Sequence, residues 1–279
     1  MSGDIGDLIE KYKLNEEEHN NVLEKLKNTI FSKASSSKQP SIMFVIGQPG
    51  SGKSTYIENS SLKKDYVIIN SDEYRQFHKY SREILEKESI YYVKLTNYDA
   101  HLWGDELFSY ALLNDYSVLR EKAPIDLSLI ELIKDISKNN EVVINVVISG
   151  NLNSLLATRE RYEKEIKTKP NAKLSNIAAH NKCYQILNEF ISECLLNNVK
   201  VNYVIYENEE YKIIPVKDDY LRLLEYYREE SNNKTCLEFN KRISFIKNSM
   251  KKRNAPKEEF LELQKIENLC EESKGEGKC

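Results

Sequence analysis

Residues 41–54 read SIMFVIGQPGSGKS, and this stretch decides the fold. Its first six residues form a short apolar run that is typical of a buried strand. Residues 47–54 match the pattern G-x-x-x-x-G-K-[ST] in full. In such a loop the backbone N–H groups turn towards the phosphates of a nucleotide, and the positive end of the following helix strengthens the attraction. The stretch therefore predicts a phosphate-binding loop between a strand and a helix.

The chemistry of this loop assigns roles to two side chains. Lys53 would place its positive charge on the β- and γ-phosphates, and the hydroxyl of Ser54 is the expected ligand of Mg²⁺. The chain contains nine glycines. Three of the nine fall in this loop, which argues against a chance match. The candidate nucleotide-binding residues are Gly47, Gln48, Pro49, Gly50, Ser51, Gly52, Lys53, Ser54 and Thr55.

Charge and hydropathy exclude two classes of protein. The chain has 279 residues with 41 Lys and Arg against 44 Asp and Glu, which gives a formal net charge of −3. This balance argues against a protein that binds nucleic acid through a basic surface. No apolar run approaches the roughly 18 residues that a membrane span requires, and the acidic N-terminal residues form no apolar leader. We expect a cytoplasmic protein that binds neither nucleic acid nor membrane.

The remainder of the chain alternates between helix and strand patterns. Apolar positions spaced by three and four predict helices over 5–31 and 80–115, among others. Short apolar runs predict further strands at 66–70, 116–119, 142–149, 199–206 and 211–215. Strands that alternate with helices form parallel β-α-β units, so we predict an α/β fold.

A second group of candidate residues lies at 70–78, NSDEYRQFH, directly after the second predicted strand. The carboxyl ends of parallel strands face the ligand crevice, so we expect Asp72 near the phosphates. A carboxylate there can accept the proton of an attacking hydroxyl. The alternative is that Asp72 only caps the next helix; the nearby loop favours the catalytic interpretation. His78 taken alone is more typical of a structural residue.

A third group begins with TRERY at residues 158–162, on the helix predicted after the strand at 142–149. An arginine on such a helix can bring a positive charge over the γ-phosphate. The alternative is a solvated, charged helix face, which the same composition would also produce.

These three stretches, in this order and spacing, resemble the zeta toxin family, the P-loop kinases of bacterial toxin–antitoxin systems. The similarity covers roughly residues 41–210 and is best at GQPGSGKS, at residues 69–78, and at 159–162 continuing to AAH at 178–180. It implies a P-loop kinase-like three-layer fold with a mostly parallel central sheet. The chain would then divide into an N-terminal helical segment, the kinase core and a helical C-terminal extension with a frayed tail, at 1–40, 41–215 and 216–279.

The resemblance also implies an activity. Family members use ATP and Mg²⁺ to phosphorylate the 3′-hydroxyl of the amino sugar in UDP-N-acetylglucosamine, and a small antitoxin covers the ATP site. By position, Asp72 would be the base, Lys53 would bind phosphate, and Arg161 would stabilise the transferring phosphate. The family's second such arginine falls near Lys173, which keeps the charge but not the bidentate fork.

Candidate substrate contacts follow from the same resemblance. The acidic residue on the helix before the third predicted strand is either Asp105 or Glu106. The substrate-binding candidates are Asp72, His78 and Glu106.

One departure from the family pattern concerns the substrate. Family members carry Glu-Gly-Thr at the end of a strand, whereas residues 119–124 read LREKAP. Glu121 can keep the acidic role near Mg²⁺, but the threonine that helps to hold the sugar nucleotide is absent. Two alternatives therefore stay open. One is a P-loop kinase for another nucleotide, nucleoside or sugar, and the other is an inactive nucleotide-binding homologue that acts through a partner.

Overall fold

The computed structural model describes residues 5–88, 91–168, 172 and 174–275, with side chains described as far as Glu271. The chain forms two compact units. The first contains the described residues within 1–42, 61–120 and 169–173, and the second contains those within 43–60, 121–168 and 174–279.

Six strands form one sheet, in the order β2-β3-β1-β4-β5-β6. They are β1 (Ser41–Ile46), β2 (Val67–Ile69), β3 (Val118–Lys122), β4 (Glu141–Val147), β5 (Lys200–Glu207) and β6 (Glu210–Pro215). The described helices are α1 (Ile5–Tyr12), α2 (Glu16–Ile30), α3 (Lys53–Asn59), α4 (Leu62–Asp65), α5 (Ser71–Tyr74), α6 (Ser81–Lys87), α7 (Tyr92–Leu113), α8 (Ser128–Ser137), α9 (Asn151–Glu165), α10 (Ile177–Leu196), α11 (Tyr220–Lys252) and α12 (Lys257–Gly275), with a 3₁₀ turn at Arg75–Phe77.

The pairing of the strands confirms the predicted α/β fold with a mostly parallel sheet. β2 pairs with β3, and β4 pairs with β5, both in parallel. β5 and β6 form an antiparallel hairpin. Its two turn residues, Asn208 and Glu209, have φ angles of 51° and 66°, the left-handed conformation that matches the twist of a tight hairpin.

Two predicted helices are each divided in the structure. The helix predicted over 5–31 breaks between α1 and α2 because Asn15 caps α2. Glu18 N donates to Asn15 Oδ1 at 2.9 Å, and Asn15 N donates to Glu18 Oε2 at 3.1 Å, which is a capping box. The helix predicted over 80–115 divides into α6 and α7, with residues 89 and 90 outside the described part. Leu14 is the one apolar residue between Tyr12 and Val22, so the first break coincides with a gap in the apolar spacing.

Each unit has its own apolar core. In the first, Leu8 and Tyr12 of α1 pack with Ile84, Tyr92 and Leu95. In the second, α9, α11 and α12 share one buried cluster. It contains Leu152, Leu155, Leu156, Phe239, Ile243, Ile246, Met250, Leu263, Ile266 and Cys270.

A side chain of the long helix α11 also caps the N-terminus of α9. Asn232 Oδ1 accepts a hydrogen bond from Leu152 N at 3.1 Å. A side chain from α11 therefore pairs with one of the N–H groups in the first turn of α9 that have no acceptor within the helix. A Cβ atom on Gly150 would lie 2.0 Å from the same oxygen, which explains glycine at that position. Within the described ranges, no helix has the length and apolar character that crossing a bilayer requires.

Candidate nucleotide and phosphoryl-transfer site

The phosphate-binding loop lies between β1 and α3, as the sequence predicts. Gly50 and Gly52 have φ angles of 79° and 97°, in the region that glycine adopts without steric cost. A Cβ atom on Gly50 would also lie 2.1 Å from the carbonyl oxygen of Ser154. Two separate features therefore require glycine at position 50: the backbone conformation and the close approach of α9.

Lys53 is buried, with 7% of its surface exposed, and bends back over its own loop. Its Nζ donates to the carbonyl oxygens of Gly47 at 2.8 Å and Gln48 at 3.1 Å. Glu121 Oε1 lies 3.9 Å from the same nitrogen. These contacts hold the ammonium group at the loop, where the charge can act on a phosphate.

Ser54 and Glu121 provide paired oxygen ligands beside that lysine. Ser54 Oγ donates to the Glu121 carboxylate, at 3.2 Å from Oε1 and 3.0 Å from Oε2. Both groups are the hard oxygen donors that Mg²⁺ prefers, and in phosphoryl-transfer sites Mg²⁺ takes one or two carboxylates with the substrate phosphates. Among the described residues, no group of three or more His, Cys, Asp or Glu could hold a metal. The residues present thus fit a Mg²⁺ ion that obtains its other ligands from nucleotide and water.

The RERY helix separates its charged side chains onto different sides. Arg159 is buried and donates to Glu262 of α12. Glu160 accepts hydrogen bonds from Arg242 of α11, at 2.8 and 3.0 Å. Arg161 is exposed, and its Nη2 lies 3.5 Å from Ser175 Oγ.

This separation distinguishes the two arginines of the motif. Arg159 is buried and paired with Glu262 of α12, whereas the guanidinium of Arg161 stays accessible. Lys173, the other predicted cation, lies outside the described residues.

In the first unit, Asp72 is held at the start of α5. Its side chain is 55% exposed and forms an ion pair with Nη1 of Arg75, which is 4% exposed. Arg75 Nη2 donates to Asn97 Oδ1 at 2.8 Å. The side chain that caps α5 is that of Asn70, which accepts a hydrogen bond from Asp72 N at 3.1 Å. The capping interpretation of Asp72 is therefore wrong.

His78 and Glu106 belong to a network of two histidines and two carboxylates. His19 of α2 contacts Asp99 Oδ1 through Nδ1 at 2.9 Å and Glu106 Oε2 through Nε2 at 2.8 Å. His78 is buried, with Nε2 3.5 Å from Asp99 Oδ2. Burial raises the pKa of Asp99, but the close contacts with His78 and His19 outweigh that effect and leave the pKa below its ordinary value.

The two carboxylates at the predicted substrate position have different surroundings. Glu106 is 36% exposed and tied to His19, whereas Asp105 is 63% exposed and accepts from Arg120 Nη2 at 2.6 Å. His78 is 2% exposed.

A cleft of about 250 Å³ adjoins the loop and involves residues that the sequence did not indicate. Ser51 of the loop, the ends of β4 and β5, and α11 line it. Its aromatic and charged lining residues are Tyr206, Tyr226, Tyr227, Glu207, Glu230, Glu238, Lys234 and Arg242. Ser51 Oγ is buried and has no hydrogen-bond partner within the described part of the chain. No local motif marks α11, because its residues reach the loop only through tertiary packing.

Several solved structures have the same fold. One, from the PezAT chromosomal toxin–antitoxin system of Streptococcus pneumoniae, is 18% identical with a TM-score of 0.68; the match covers 83% of this chain and 98% of that one. The AvrRxo1-ORF1:AvrRxo1-ORF2 structure with sulphate ions is 12% identical, with a TM-score of 0.57 and coverage of 85% and 84%. An AvrRxo1-ORF1:-ORF2 structure with ATP is 12% identical, with a TM-score of 0.54 and coverage of 76% and 71%.

Comparison at the level of sequence gives the family. No curated protein sequence matches this chain. The model of the family described as Zeta toxin matches residues 26–219, more than half of the chain. With the complete phosphate-binding loop and the shared fold, this match shows that the chain belongs to the zeta toxin family of P-loop kinases.

Proposed function

We propose that this chain transfers the γ-phosphate of ATP to the 3′-hydroxyl of the amino sugar of UDP-N-acetylglucosamine, as the toxin of a toxin–antitoxin pair. The observation that carries the proposal is the contact between Ser54 Oγ and the Glu121 carboxylate, beside the buried ammonium group of Lys53. A loop, a lysine and oxygen ligands for Mg²⁺ are what phosphoryl transfer needs to hold the β- and γ-phosphates. Bound Mg²⁺ would neutralise charge that develops on these phosphates.

The donor half of the reaction is supported by the cleft beside Ser51. Exposed tyrosines such as Tyr206 and Tyr226 line it, and aromatic rings of this kind stack on nucleotide bases. Its volume of about 250 Å³ suits a nucleoside. We propose that the adenosine of ATP binds there, while the loop holds the phosphates. The ATP-containing AvrRxo1-ORF1:-ORF2 structure, which has the same fold, supports ATP as the nucleotide.

The acceptor half is assigned to Asp72. Its carboxylate would accept the proton of the sugar hydroxyl as the hydroxyl oxygen bonds to the γ-phosphorus and the bond to the ADP oxygen breaks. Arg161, with its accessible guanidinium, would stabilise the charge on the phosphate in transfer. Lys173 is proposed for the same task, and Glu106 for contact with the sugar nucleotide. The burial of His78 favours a supporting role there.

A second candidate function is transfer to a different small-molecule acceptor. The specific observation is the residue before Glu121: Arg120 is buried, donates to Asp105 and lies 4.7 Å from the ring centre of Phe108. A buried, paired arginine beside the position where the family carries Gly-Thr changes the chemistry available to a sugar nucleotide.

A partner and a compartment follow from the same assignment. We propose that a small antitoxin protein covers the ATP site, as the toxin–antitoxin source of a structure with this fold supports. The proposed location is the cytoplasm, where ATP and nucleotide sugars are available.

Mass spectrometry of the nucleotide sugar tests the proposed reaction. Purified protein with ATP, Mg²⁺ and UDP-N-acetylglucosamine should yield a product one phosphate heavier, and Lys53→Ala and Asp72→Asn should each abolish it. Asp135→Asn, an exposed carboxylate on α8, is the matched control and should retain full activity.

The acceptor alternatives give different results in the same experiment. If UDP-N-acetylglucosamine stays unmodified while labelled phosphate from ATP appears in another metabolite of a cell extract, the second candidate replaces the first. If Asp72→Asn and Lys53→Ala both retain full toxicity in cells, the chain acts through a partner and the kinase proposal is wrong.

A further inference from the structure

Three buried polar side chains connect the phosphate-binding loop to the helices α9 and α10. Gln48 Nε2 donates to the carbonyl oxygen of Ser149 at 2.8 Å and to Ser154 Oγ at 3.2 Å. Ser154 Oγ lies 2.8 Å from His180 Nε2. Gln48 is 1% exposed, and Ser154 and His180 are 0% exposed.

Ser154 is the point at which the loop contacts α9. Its hydroxyl accepts from the Gln48 side chain, and its carbonyl oxygen is the atom that a Cβ on Gly50 would strike. His180 holds that hydroxyl from the other side, on α10. Because Gln48 is fixed by its side chain, its carbonyl oxygen stays where it accepts from Lys53 Nζ at 3.1 Å.

Burial maintains this arrangement in its neutral form. It lowers the pKa of His180 below the ordinary value. The charge of Lys53 lowers the pKa further, and the hydrogen bond that Nδ1 donates to Asn181 opposes both effects. Buried polar groups left unpaired cost more free energy than a hydrogen bond gains. Breaking any one of these hydrogen bonds would leave a buried polar group unpaired, and this free-energy cost restrains the loop.

We propose that Ser154 and His180 are positioning residues for the phosphate-binding loop, which act on ATP affinity through Gln48 without touching the nucleotide. The proposal rests on the proposed function in one respect, that this loop binds the phosphates of ATP. Neither residue is assigned to the chemical step.

Calorimetric titration with a non-hydrolysable ATP analogue, adenylyl imidodiphosphate, tests the proposal. Ser154→Ala and His180→Phe should each weaken binding by about 3- to 10-fold, the effect of losing one neutral hydrogen bond. Because His180 Nδ1 donates to Asn181 Oδ1, Nε2 of the neutral ring accepts from Ser154 Oγ. His180→Gln offers an amide oxygen that can accept in place of Nε2 and should restore binding to within about twofold of the unmodified protein. The double variant should bind no more weakly than the weaker single variant, because both changes remove the same bond.

The control is Thr96→Val. Thr96 is a fully buried hydroxyl on α7 that donates to the carbonyl of the preceding turn, at 2.7 Å from Tyr92 O. It is a helical hydroxyl with the same burial as that of Ser154. Thr96→Val should lower the free energy of unfolding without weakening the binding of the analogue. In steady-state assays, the KM for ATP should rise in His180→Phe, while kcat and the KM for the acceptor stay within about twofold of the unmodified values.

Two results would overturn the inference: unchanged affinity in folded Ser154→Ala and His180→Phe, or additive losses in the double variant. If His180→Phe does not fold, Ser154→Ala and His180→Gln decide the matter by themselves. Failure of the unmodified protein to bind the analogue would instead contradict the proposed function, so the two failures are distinguishable.

Discussion

The buried guanidinium of Arg75 holds the carboxylate of Asp72 on one side and the amide oxygen of Asn97 on the other. Asp72 lies in the first turn of α5, and Asn97 lies on α7. A charge-assisted pair with a planar guanidinium fixes the orientation of a carboxylate as well as its position. Arg75 therefore determines the direction in which the proposed base points.

Substitution of Arg75 should separate orientation from charge. Arg75→Met should lower kcat by about 10-fold or more, because a charge-assisted hydrogen bond contributes roughly 1.5–3 kcal/mol. Arg75→Lys keeps the charge but cannot contact both partners, so kcat should recover only in part. The measurement is steady-state phosphate transfer at saturating ATP. Equal kcat values for Arg75→Lys and Arg75→Met would show that the positive charge at position 75 does not help to hold the Asp72 carboxylate.

The loop glycines should differ in the cost of a methyl group. Gly50→Ala adds a Cβ at 2.1 Å from Ser154 O, whereas a Cβ on Gly52 meets nothing within 4 Å. Both residues have positive φ, so each substitution costs roughly 1–2 kcal/mol of backbone strain. Gly50→Ala should lose more stability in urea unfolding, and more ATP affinity, than the matched variant Gly52→Ala. Equal losses would mean that backbone strain alone requires glycine at position 50.

The ion pair between Glu163 and Arg253 should be critical for the packing of α9 against the C-terminal helices. Glu163 is 1% exposed and accepts from Arg253 Nη2 at 2.7 Å and from Nε at 3.1 Å. These hydrogen bonds raise the pKa of Arg253 above its ordinary value. Arg253→Met leaves a buried carboxylate unpaired and should lower the free energy of unfolding by about 3–5 kcal/mol.

An exposed pair provides the comparison. Lys138 and Asp135, at the C-terminal end of α8, are 70% and 75% exposed, and Lys138→Met should cost less than about 1 kcal/mol. Chemical unfolding measures both variants. A cost for Arg253→Met no larger than that for Lys138→Met would show that the buried pair adds nothing to the packing.

The free energy of unfolding should decrease as the pH falls through about 6.5, because His180 is buried. Its folded pKa lies below the ordinary value of 6.5 because the ring is buried. The unfolded chain therefore binds a proton at a pH where the folded chain does not, so this contribution is complete above about 6.5 and declines as the pH falls through that value. Thermal unfolding from pH 7.5 to 5.5 should show a decline that is smaller in His180→Gln. An identical decline in that variant would assign it to other groups.

Prediction from sequence succeeded where eight or fewer neighbouring residues carry the information. The strand at 41–46 and the loop at 47–54 lie where their patterns predict them, and the strands predicted at 199–206 and 211–215 lie within one residue of β5 and β6. Glycine conformation, apolar runs and turn geometry are local properties, so they are readable without tertiary contacts. The helix break at Asn15 was readable in principle, because Asn15 and Glu18 form a capping box that periodicity overlooked.

Contacts between residues far apart in the sequence could not be predicted from local patterns. Ser54 meets Glu121 across 67 positions, and Gln48 meets Ser154 across 106. Such pairs depend on strand order and on the register of packed helices, which no spacing in the chain records. Arg159 and Arg161 look equivalent in RERY, yet Glu262 on α12 pairs with the first and leaves the second accessible.

The sequence by itself determined the phosphate-binding loop, the α/β class and the family resemblance, because these depend on residue type within short, ordered segments. Only the tertiary structure decided which arginine of α9 is accessible, that Asn70 rather than Asp72 caps α5, and that α11 lines the cleft beside Ser51. The physical reason is that burial and pairing belong to surfaces brought together by packing, and each side chain's availability is set by the neighbours that packing supplies.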